Sequence, residues 1–234
     1  MTEPRKYIDQ KMMKSAQRLL EASGRRYPIS DQLPAEYLFS EILLRATQAV
    51  RGGLRFRRIS FVGRRVQVRG KRQLSVGRGV SIGDDTTIDA RSIMGVTLRA
   101  GSRLGRRGII TSTSHLSLMG KGVEIGQRSG IGDFFHLGAS GGVRIGDDVI
   151  IGPYFVVHSQ EHRYESPDRP IREQGTIQLP VEIGDNCWIG SRVTLLAGTK
   201  IGPRTVVASG AVVRGEHAGN EILAGIPARS VRAI

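Results

Sequence analysis

The chain contains 234 residues, with 35 Lys or Arg against 21 Asp or Glu, and therefore has a formal net charge of +14. Aromatic residues make up only 5% of the chain while 31 residues are Gly, a composition that suits a repetitive β structure without a large aromatic core. The single Cys excludes an intrachain disulfide. With no signal-peptide pattern and no long apolar run, we expect a cytoplasmic protein.

The positive charge is concentrated in the N-terminal third. Residues 1–73 hold 17 Lys or Arg against 6 Asp or Glu, whereas the remaining residues hold 18 against 15. Within this region the spacing of apolar residues predicts one helix over residues 7–21 and a second over residues 35–50. A basic segment, residues 51–58, follows and contains the pair Gly52-Gly53. Alternating apolar residues between Ile59 and Val68 then predict the first strands, which we expect to cap the open end of the β structure.

The basic segment has two interpretations. No recognised nucleic-acid-binding module is present and aromatic residues for base stacking are scarce, so we expect no nucleic-acid partner. Leu54 and Phe56 among the arginines favour peripheral contact with the inner face of a membrane through anionic lipid headgroups. A solvated basic surface without such a partner is the other interpretation.

A six-residue repeat dominates the rest of the chain. An aliphatic residue, usually followed by Gly, returns at Val76, Ile82, Ile88, Leu98, Leu104, Ile110, Ile125, Ile131, Leu137, Ile145, Ile151, Val157, Ile183, Ile189, Leu195, Ile201, Val207 and Val213. This period predicts a parallel β-helix in which each hexad forms one short strand and one turn. The aliphatic residue and the small residue four positions later should both point inward. Gly is expected after the aliphatic residue because a tight turn needs positive φ.

The hexads VEIGDN, CWIGSR, VTLLAG, TKIGPR, TVVASG and AVVRGE resemble the hexapeptide repeats of the left-handed β-helix acyltransferases. The resemblance implies an all-β solenoid with three hexads per triangular coil, roughly six coils, and a homotrimer with active sites between subunits. We therefore expect a basic, largely helical extension over residues 1–58, a left-handed β-helix over residues 59–222 and a C-terminal capping tail over residues 223–234.

We expect the catalytic residues at interruptions of the repeat, because the residues of a regular coil are needed for packing. Extra residues occur between Ile88 and Leu98, between Ile110 and Ile125, and around Gly141. The largest interruption predicts a projecting loop over residues 158–180.

The surroundings of this loop resemble those in the galactoside, maltose and capsule-sugar O-acetyltransferases. The matching residues are Ile151-Gly-Pro153 before the loop, His158 and His162 at its start, and the return Val181-Glu-Ile-Gly-Asp-Asn-Cys-Trp-Ile-Gly190. The resemblance implies that His162 is the general base, with His158 as the rival position. It also implies acetyl-CoA as co-substrate and the Ser191 backbone N–H as oxyanion donor. A His suits the reaction because imidazole has an unperturbed pKa near 6.5, close to a neutral working pH.

The family pattern further implies which residues contact the substrates. The expected CoA contacts are Trp188, Ser191, Ala197, Gly198, Ala208, Ser209, Gly210 and Arg229. The expected acceptor contacts are His136, Glu161 and Tyr164, and Glu161 is also one of the carboxylates near enough in sequence to hold the tautomer of His162. Cys187 occupies an inward position and is expected to be a buried structural thiol rather than a nucleophile.

The resulting hypothesis is an acetyl-CoA-dependent O-acetyltransferase that acts by direct transfer on a sugar hydroxyl. Its acceptor would belong to bacterial surface polysaccharide or glycolipid biosynthesis, and no metal is expected. One alternative is an N-acyltransferase acting on a nucleotide-linked amino sugar. A second is a zinc enzyme similar to the γ-carbonic anhydrases, with His136, His158 and His162 as ligands, and a third is a noncatalytic scaffold.

Overall fold

A computed structural model describes Lys14, Gln17, Arg18, residues 29 and 30, residues 32–113 and residues 118–234 of the chain. Lys14, Gln17 and Arg18 are helical, and the rest of the helix predicted over residues 7–21 lies outside the described residues. The second predicted helix is α1 (Ala35–Phe56). No helix in the described ranges is long and apolar enough to cross a bilayer.

The rest of the described chain consists mainly of short strands joined by turns. In chain order they are β1 (Phe61–Val62), β2 (Gln67–Arg69), β3 (Leu74–Val76), β4 (Ser81–Ile82), β5 (Thr87–Asp89), β6 (Val96–Leu98), β7 (Arg103–Leu104), β8 (Ile109–Thr111), β9 (Val123–Ile125), β10 (Gly130–Ile131), β11 (His136–Gly138), β12 (Val143–Ile145), β13 (Ile150–Ile151), β14 (Val156–His158), β15 (Gln160–His162), β16 (Thr176–Gln178), β17 (Val181–Ile183), β18 (Trp188–Ile189), β19 (Thr194–Leu195), β20 (Lys200–Ile201), β21 (Val206–Val207), β22 (Val212–Val213), β23 (Glu216–His217), β24 (Glu221–Gly225) and β25 (Ala228–Ala233). Two 3₁₀ turns, Lys71–Gln73 and Ile171–Glu173, complete the elements.

The strands form a left-handed parallel β-helix with three faces. Sheet 1 runs β1-β4-β7-β10-β13-β18-β21-β24-β25, sheet 2 runs β2-β5-β8-β11-β14-β19-β22, and sheet 3 runs β3-β6-β9-β12-β17-β20-β23. Sheets 2 and 3 contain seven strands each, so the solenoid has seven coils, one more than the roughly six expected. The difference arises because the segment from Ile59 to Val68, predicted to cap the end, contributes strands to a complete first coil.

The core confirms the inward positions of the repeat. All eighteen aliphatic positions from Val76 to Val213 are buried, and so are the small residues beside them such as Val80, Thr86, Val193 and Ala211. Parallel register places the aliphatic residues of successive coils directly above one another, as at Leu137 and Val157. The solenoid is therefore held by a continuous apolar column rather than by a single globular core.

The reason expected for the repeated Gly is wrong. Gly105 and Gly190 do not have positive φ; that conformation falls two residues later, at Arg107 (55°) and Arg192 (58°). A Cβ at Gly105 would instead lie 2.4 Å from the carbonyl carbon of Gly132 in the next coil. Gly follows the aliphatic residue because adjacent coils approach too closely for a side chain.

Helix α1 extends six residues beyond the predicted end at Val50 and passes through Gly52-Gly53. A Cβ at Gly52 would lie 2.0 Å from the Ser60 carbonyl oxygen, so Gly at this position lets the helix pack directly on the first coil. The helix ends at Phe56, which packs against the core.

Arginines of α1 satisfy carbonyl groups of the first coil. Arg51 Nε donates to the Val62 carbonyl and Arg55 Nη1 to the Val66 carbonyl, both at 2.8 Å. The first coil has no preceding coil to pair with, so its outer carbonyl groups would otherwise depend on solvent. The helix, rather than the first strands, therefore covers this end of the solenoid.

All insertions project from one corner of the triangular solenoid. The longer connections β5–β6, β8–β9, β11–β12 and β14–β17 each leave sheet 2 and enter sheet 3. We call this the insertion corner. At the opposite end from α1, β24 and β25 form an antiparallel hairpin that extends sheet 1.

Candidate active site

The long interruption forms a β-hairpin arm at the insertion corner. Strands β15 and β16 are antiparallel, with His162 opposite Thr176 and Glu161 opposite Ile177. His162 is exposed on this arm. Because neighbouring residues of a strand point to opposite faces, Glu161 and His162 lie on opposite faces of the arm. Glu161 is therefore poorly placed to hold the tautomer of His162.

Ser159 anchors the base of the arm. Its side chain is fully buried, its Oγ donates to the Gly138 carbonyl at 2.7 Å, and the same Oγ accepts from the Gly141 N–H at 2.8 Å. The Ser159 carbonyl also accepts from the Leu179 N–H at 3.0 Å, which ties the two ends of the arm together. The arm is consequently fixed to the preceding coil at the point where it departs.

Gln174 holds the outer part of the arm in shape. Its Oε1 accepts from the Ser166 N–H at 2.9 Å, and its Nε2 donates to the carbonyl groups of Ser166 (2.9 Å) and Arg169 (2.8 Å). One amide side chain thus replaces the backbone pairing that the irregular turn lacks.

His136 and His158 lie together on the outer face of sheet 2. Their ring centroids are 6.2 Å apart, as expected from their placement on neighbouring coils. His136 is half-buried, and its burial, with a smaller contribution from His158, lowers the pKa of its imidazole below 6.5. His158 is exposed at the end of β14, at the base of the arm.

The predicted oxyanion donor lies at a different corner. Ser191, Ala208, Ser209 and Gly210 are in the turns that join sheet 1 to sheet 2, whereas His162 leaves from the other edge of sheet 2. The Ser191 N–H donates to Ser209 Oγ at 3.1 Å, so within one chain this donor already has a partner. The structure does not bring His162 and Ser191 to the same edge of the sheet.

The remaining predicted cofactor contacts are divided among three places. Ala197 and Gly198 lie at the insertion corner, where a Cβ on Gly198 would be 3.2 Å from Leu179 Cδ1 at the base of the arm. Trp188 points outward from sheet 1 and is 57% exposed. Arg229 is exposed on the terminal hairpin. Tyr164, an expected acceptor contact, is exposed beyond β15.

Cys187 is buried, in agreement with a structural role. Its Sγ donates to the Gly202 carbonyl at 3.3 Å, and burial raises the pKa of the thiol. Among the described residues, no three His, Cys, Asp or Glu side chains are grouped closely enough to hold a metal ion.

Two residues of this region were not predicted from the sequence. Ser159 stands two positions after the inward Val157, so the strand period could have identified it as an inward polar residue. Gln174 has no comparable signal, because it acts inside a turn that follows no repeat.

Comparisons with known proteins agree with the architecture. The family model described as bacterial transferase hexapeptide (six repeats) matches residues 180–215, and that of the hexapeptide repeat of succinyl-transferase matches residues 79–105. A crystal structure of a hexapeptide-repeat-containing acetyltransferase from Vibrio cholerae, complexed with acetyl-CoA, is similar with a TM-score of 0.51 and 30% sequence identity. The similarity covers 58% of this chain and 69% of that chain.

Curated relatives of this chain carry acetyltransferase names. A protein of Mycobacterium tuberculosis named as a probable acetyltransferase is 32% identical over 175 residues, which are 74% of this chain and 49% of the relative. The galactoside O-acetyltransferase of Escherichia coli is 34% identical over 93 residues, or 39% of this chain and 44% of the relative. The chain thus spans about half the length of these relatives.

Proposed function

Because the chain belongs to the hexapeptide-repeat acyltransferase family, we propose that it transfers the acetyl group of acetyl-CoA to a sugar hydroxyl. The sugar oxygen attacks the thioester carbonyl while its proton passes to His162. The C–S bond then breaks with its electron pair on sulfur, which takes up a proton. The products are a sugar acetate ester and free CoA, and no acyl-enzyme forms.

The observation that carries this proposal is the arm that presents His162. A general base contributes a factor of about 10²–10⁴ only when it is held within reach of the proton it removes. Ser159 fixes the base of the arm, and Gln174 fixes its outer turn. His162 is thus exposed to substrate and carried on a braced element. His158 remains the alternative base because it is exposed where the arm begins.

The separation of His162 from Ser191 supports a homotrimer with its sites between subunits. In one chain these residues occupy opposite edges of sheet 2. A neighbouring copy that places its Ser191 edge beside the arm completes a site that one chain lacks. In that site the Ser191 N–H donates to the developing oxyanion instead of to Ser209 Oγ. A donor of this kind stabilises the transition state by about 3–4 kcal/mol.

The cofactor lies along the same groove in this proposal. Its main-chain contacts are Ala197, Gly198, Ala208, Ser209 and Gly210. Trp188 covers part of the pantetheine chain of the cofactor, and Arg229 binds the phosphates. The acceptor contacts His136, Glu161 and Tyr164. The relative named galactoside O-acetyltransferase supports a sugar acceptor. We assign this acceptor to bacterial surface polysaccharide or glycolipid synthesis.

The test is acceptor-dependent release of CoA from acetyl-CoA, measured against sugars and nucleotide-linked amino sugars. Release with a neutral sugar supports O-acetylation, whereas release only with an amino sugar supports the N-acyltransferase alternative. Activity that disappears with a metal chelator contradicts the metal-independent mechanism. Absence of acetyl-CoA binding in calorimetry contradicts the transferase proposal as a whole.

Two substitutions distinguish the candidate bases. His162→Asn should lower kcat by about 10²–10⁴-fold while CoA affinity and the trimer measured by sedimentation stay unchanged. His158→Asn is the matched variant and should retain most of the turnover. If His158→Asn is inactive and His162→Asn is not, the base is His158.

A further inference from the structure

The outer face of α1 exposes an apolar stripe. Phe39, Leu43, Val50 and Leu54 are 64%, 55%, 62% and 81% exposed. At 3.6 residues per turn they fall within an arc of about 60° and extend for about 22 Å along the helix. We call these four residues the α1 stripe.

The stripe points away from the solenoid. The opposite side of α1 carries the contacts with the body, where Gly52 packs on Ser60 and Arg51 and Arg55 reach the first coil. Arg45 Nη1 also donates to Ser81 Oγ, and its guanidinium lies 5.5 Å from the centroid of the Phe61 ring. The helix is therefore a fixed platform with one face on the solenoid and an apolar face toward solvent.

Next to this platform the first coil is basic. Residues 51–78 contain ten Lys or Arg and no Asp or Glu, whereas residues 79–234 contain 17 against 15. Arg51 and Arg55 contact the first coil, and Arg65 pairs with Asp85. The others are exposed, and none has an ion-pair partner among the described residues. We call them the basic ring: Arg57, Arg58, Arg64, Arg69, Lys71, Arg72 and Arg78.

We propose that the α1 stripe and the basic ring together dock this protein on an anionic lipid bilayer. An apolar helix face enters the interface between headgroups and acyl chains, while nearby cations bind anionic headgroups. This surface shares Leu54, Arg57 and Arg58 with the basic segment and extends beyond it. Phe56 packs against the core, and Arg51 and Arg55 are engaged with the first coil, so these three residues do not take part.

Charge complementarity favours a lipid surface over other occupants. A second copy of this chain would bring two basic rings together, which like-charge repulsion disfavours. A soluble polyanion would use the ring but leave the apolar stripe in water. A bilayer with anionic headgroups matches both features at once.

The experiment is flotation of the full chain with vesicles of phosphatidylcholine alone or with about 30% phosphatidylglycerol. The protein should float with the anionic vesicles and not with the neutral ones, and high salt should weaken binding. Each arginine or lysine removed should weaken binding about fivefold, so Arg58→Gln, Lys71→Gln and Arg72→Gln together should weaken it about 100-fold. Leu43→Ser, Val50→Ser and Leu54→Ser together should abolish flotation.

Matched controls carry the same types of change at the opposite end of the solenoid. Ile226→Ser with Val231→Ser, and Arg204→Gln with Arg232→Gln, should float like the unmodified chain, since these exposed residues lie far from α1. Circular dichroism and CoA release should be the same in all variants, which shows that they are folded. The proposal is overturned if the stripe variant floats as well as the unmodified chain, or if the unmodified chain binds both kinds of vesicle equally. A stripe variant that changes the oligomeric state without any lipid binding assigns the stripe to contact between copies and overturns it too.

Discussion

Replacing Ser159 with Ala tests whether the arm depends on one buried hydroxyl. In the folded chain, Ser159 Oγ accepts from the Gly141 N–H and donates to the Gly138 carbonyl. The Gly138 carbonyl keeps a second partner, because it also accepts from the Ser159 N–H at 3.0 Å. The Gly141 N–H is left without its partner, and an unsatisfied buried donor costs about 1–3 kcal/mol.

We therefore expect Ser159→Ala to lower the free energy of unfolding by about 1–3 kcal/mol. For a chain of this length each kcal/mol corresponds to a Tm decrease of about 2–4 °C. The loss should concentrate in the arm. Backbone amides of β15 and β16 should exchange hydrogen faster, and turnover should fall because His162 is less well held.

Ser102→Ala is a matched control for this substitution. Ser102 is equally buried, but its Oγ has no hydrogen-bond partner among the residues that the structure describes. Removing it should leave the stability unchanged or slightly higher, because no partner is abandoned. Urea unfolding at one protein concentration compares the two variants. If Ser159→Ala and Ser102→Ala have the same free energy of unfolding, Ser159 does not anchor the arm.

Three further predictions concern other parts of the site. Gln174→Ala should lower kcat at least tenfold with little change in global unfolding, because it loosens only the outer turn; unchanged kcat would show that this turn is dispensable. His136 has a pKa below its unfolded value, so the unfolded chain gains a proton first as the pH falls and stability should decrease below about pH 6.5. His136→Gln should lose less stability than the unmodified chain between about pH 6.5 and 5 in thermal unfolding, and parallel curves would refute this. Cys187 should react with a thiol reagent only after denaturation, because burial raises the pKa of its thiol, and rapid labelling of the folded protein would contradict that reason.

The repeat made most of the fold predictable. The six-residue repeat placed eighteen of the buried aliphatic residues, and the same count placed Cys187 inside. These features depend only on alternation along a strand and on the spacing of coils, which a linear sequence records directly.

Predictions failed where a contact with the next coil or with α1 decides the conformation. Gly105 looked like a turn residue, but close approach of adjacent coils is what excludes its side chain. The second helix was predicted to end at Val50, but packing on Ser60 makes Gly52 favourable inside a longer helix. In both cases local propensity is overridden by a neighbour distant in sequence.

By itself, the sequence determined the solenoid, the interruptions of its repeat and the identity of the candidate base on the arm. Only the tertiary structure decided that all interruptions share one corner, that Ser159 and Gln174 brace the arm, and that His162 and Ser191 lie at opposite edges of sheet 2. The physical reason is that a hexad specifies which side chains point inward, whereas the position of a site depends on how successive coils stack and on what bonds hold the inserted segments.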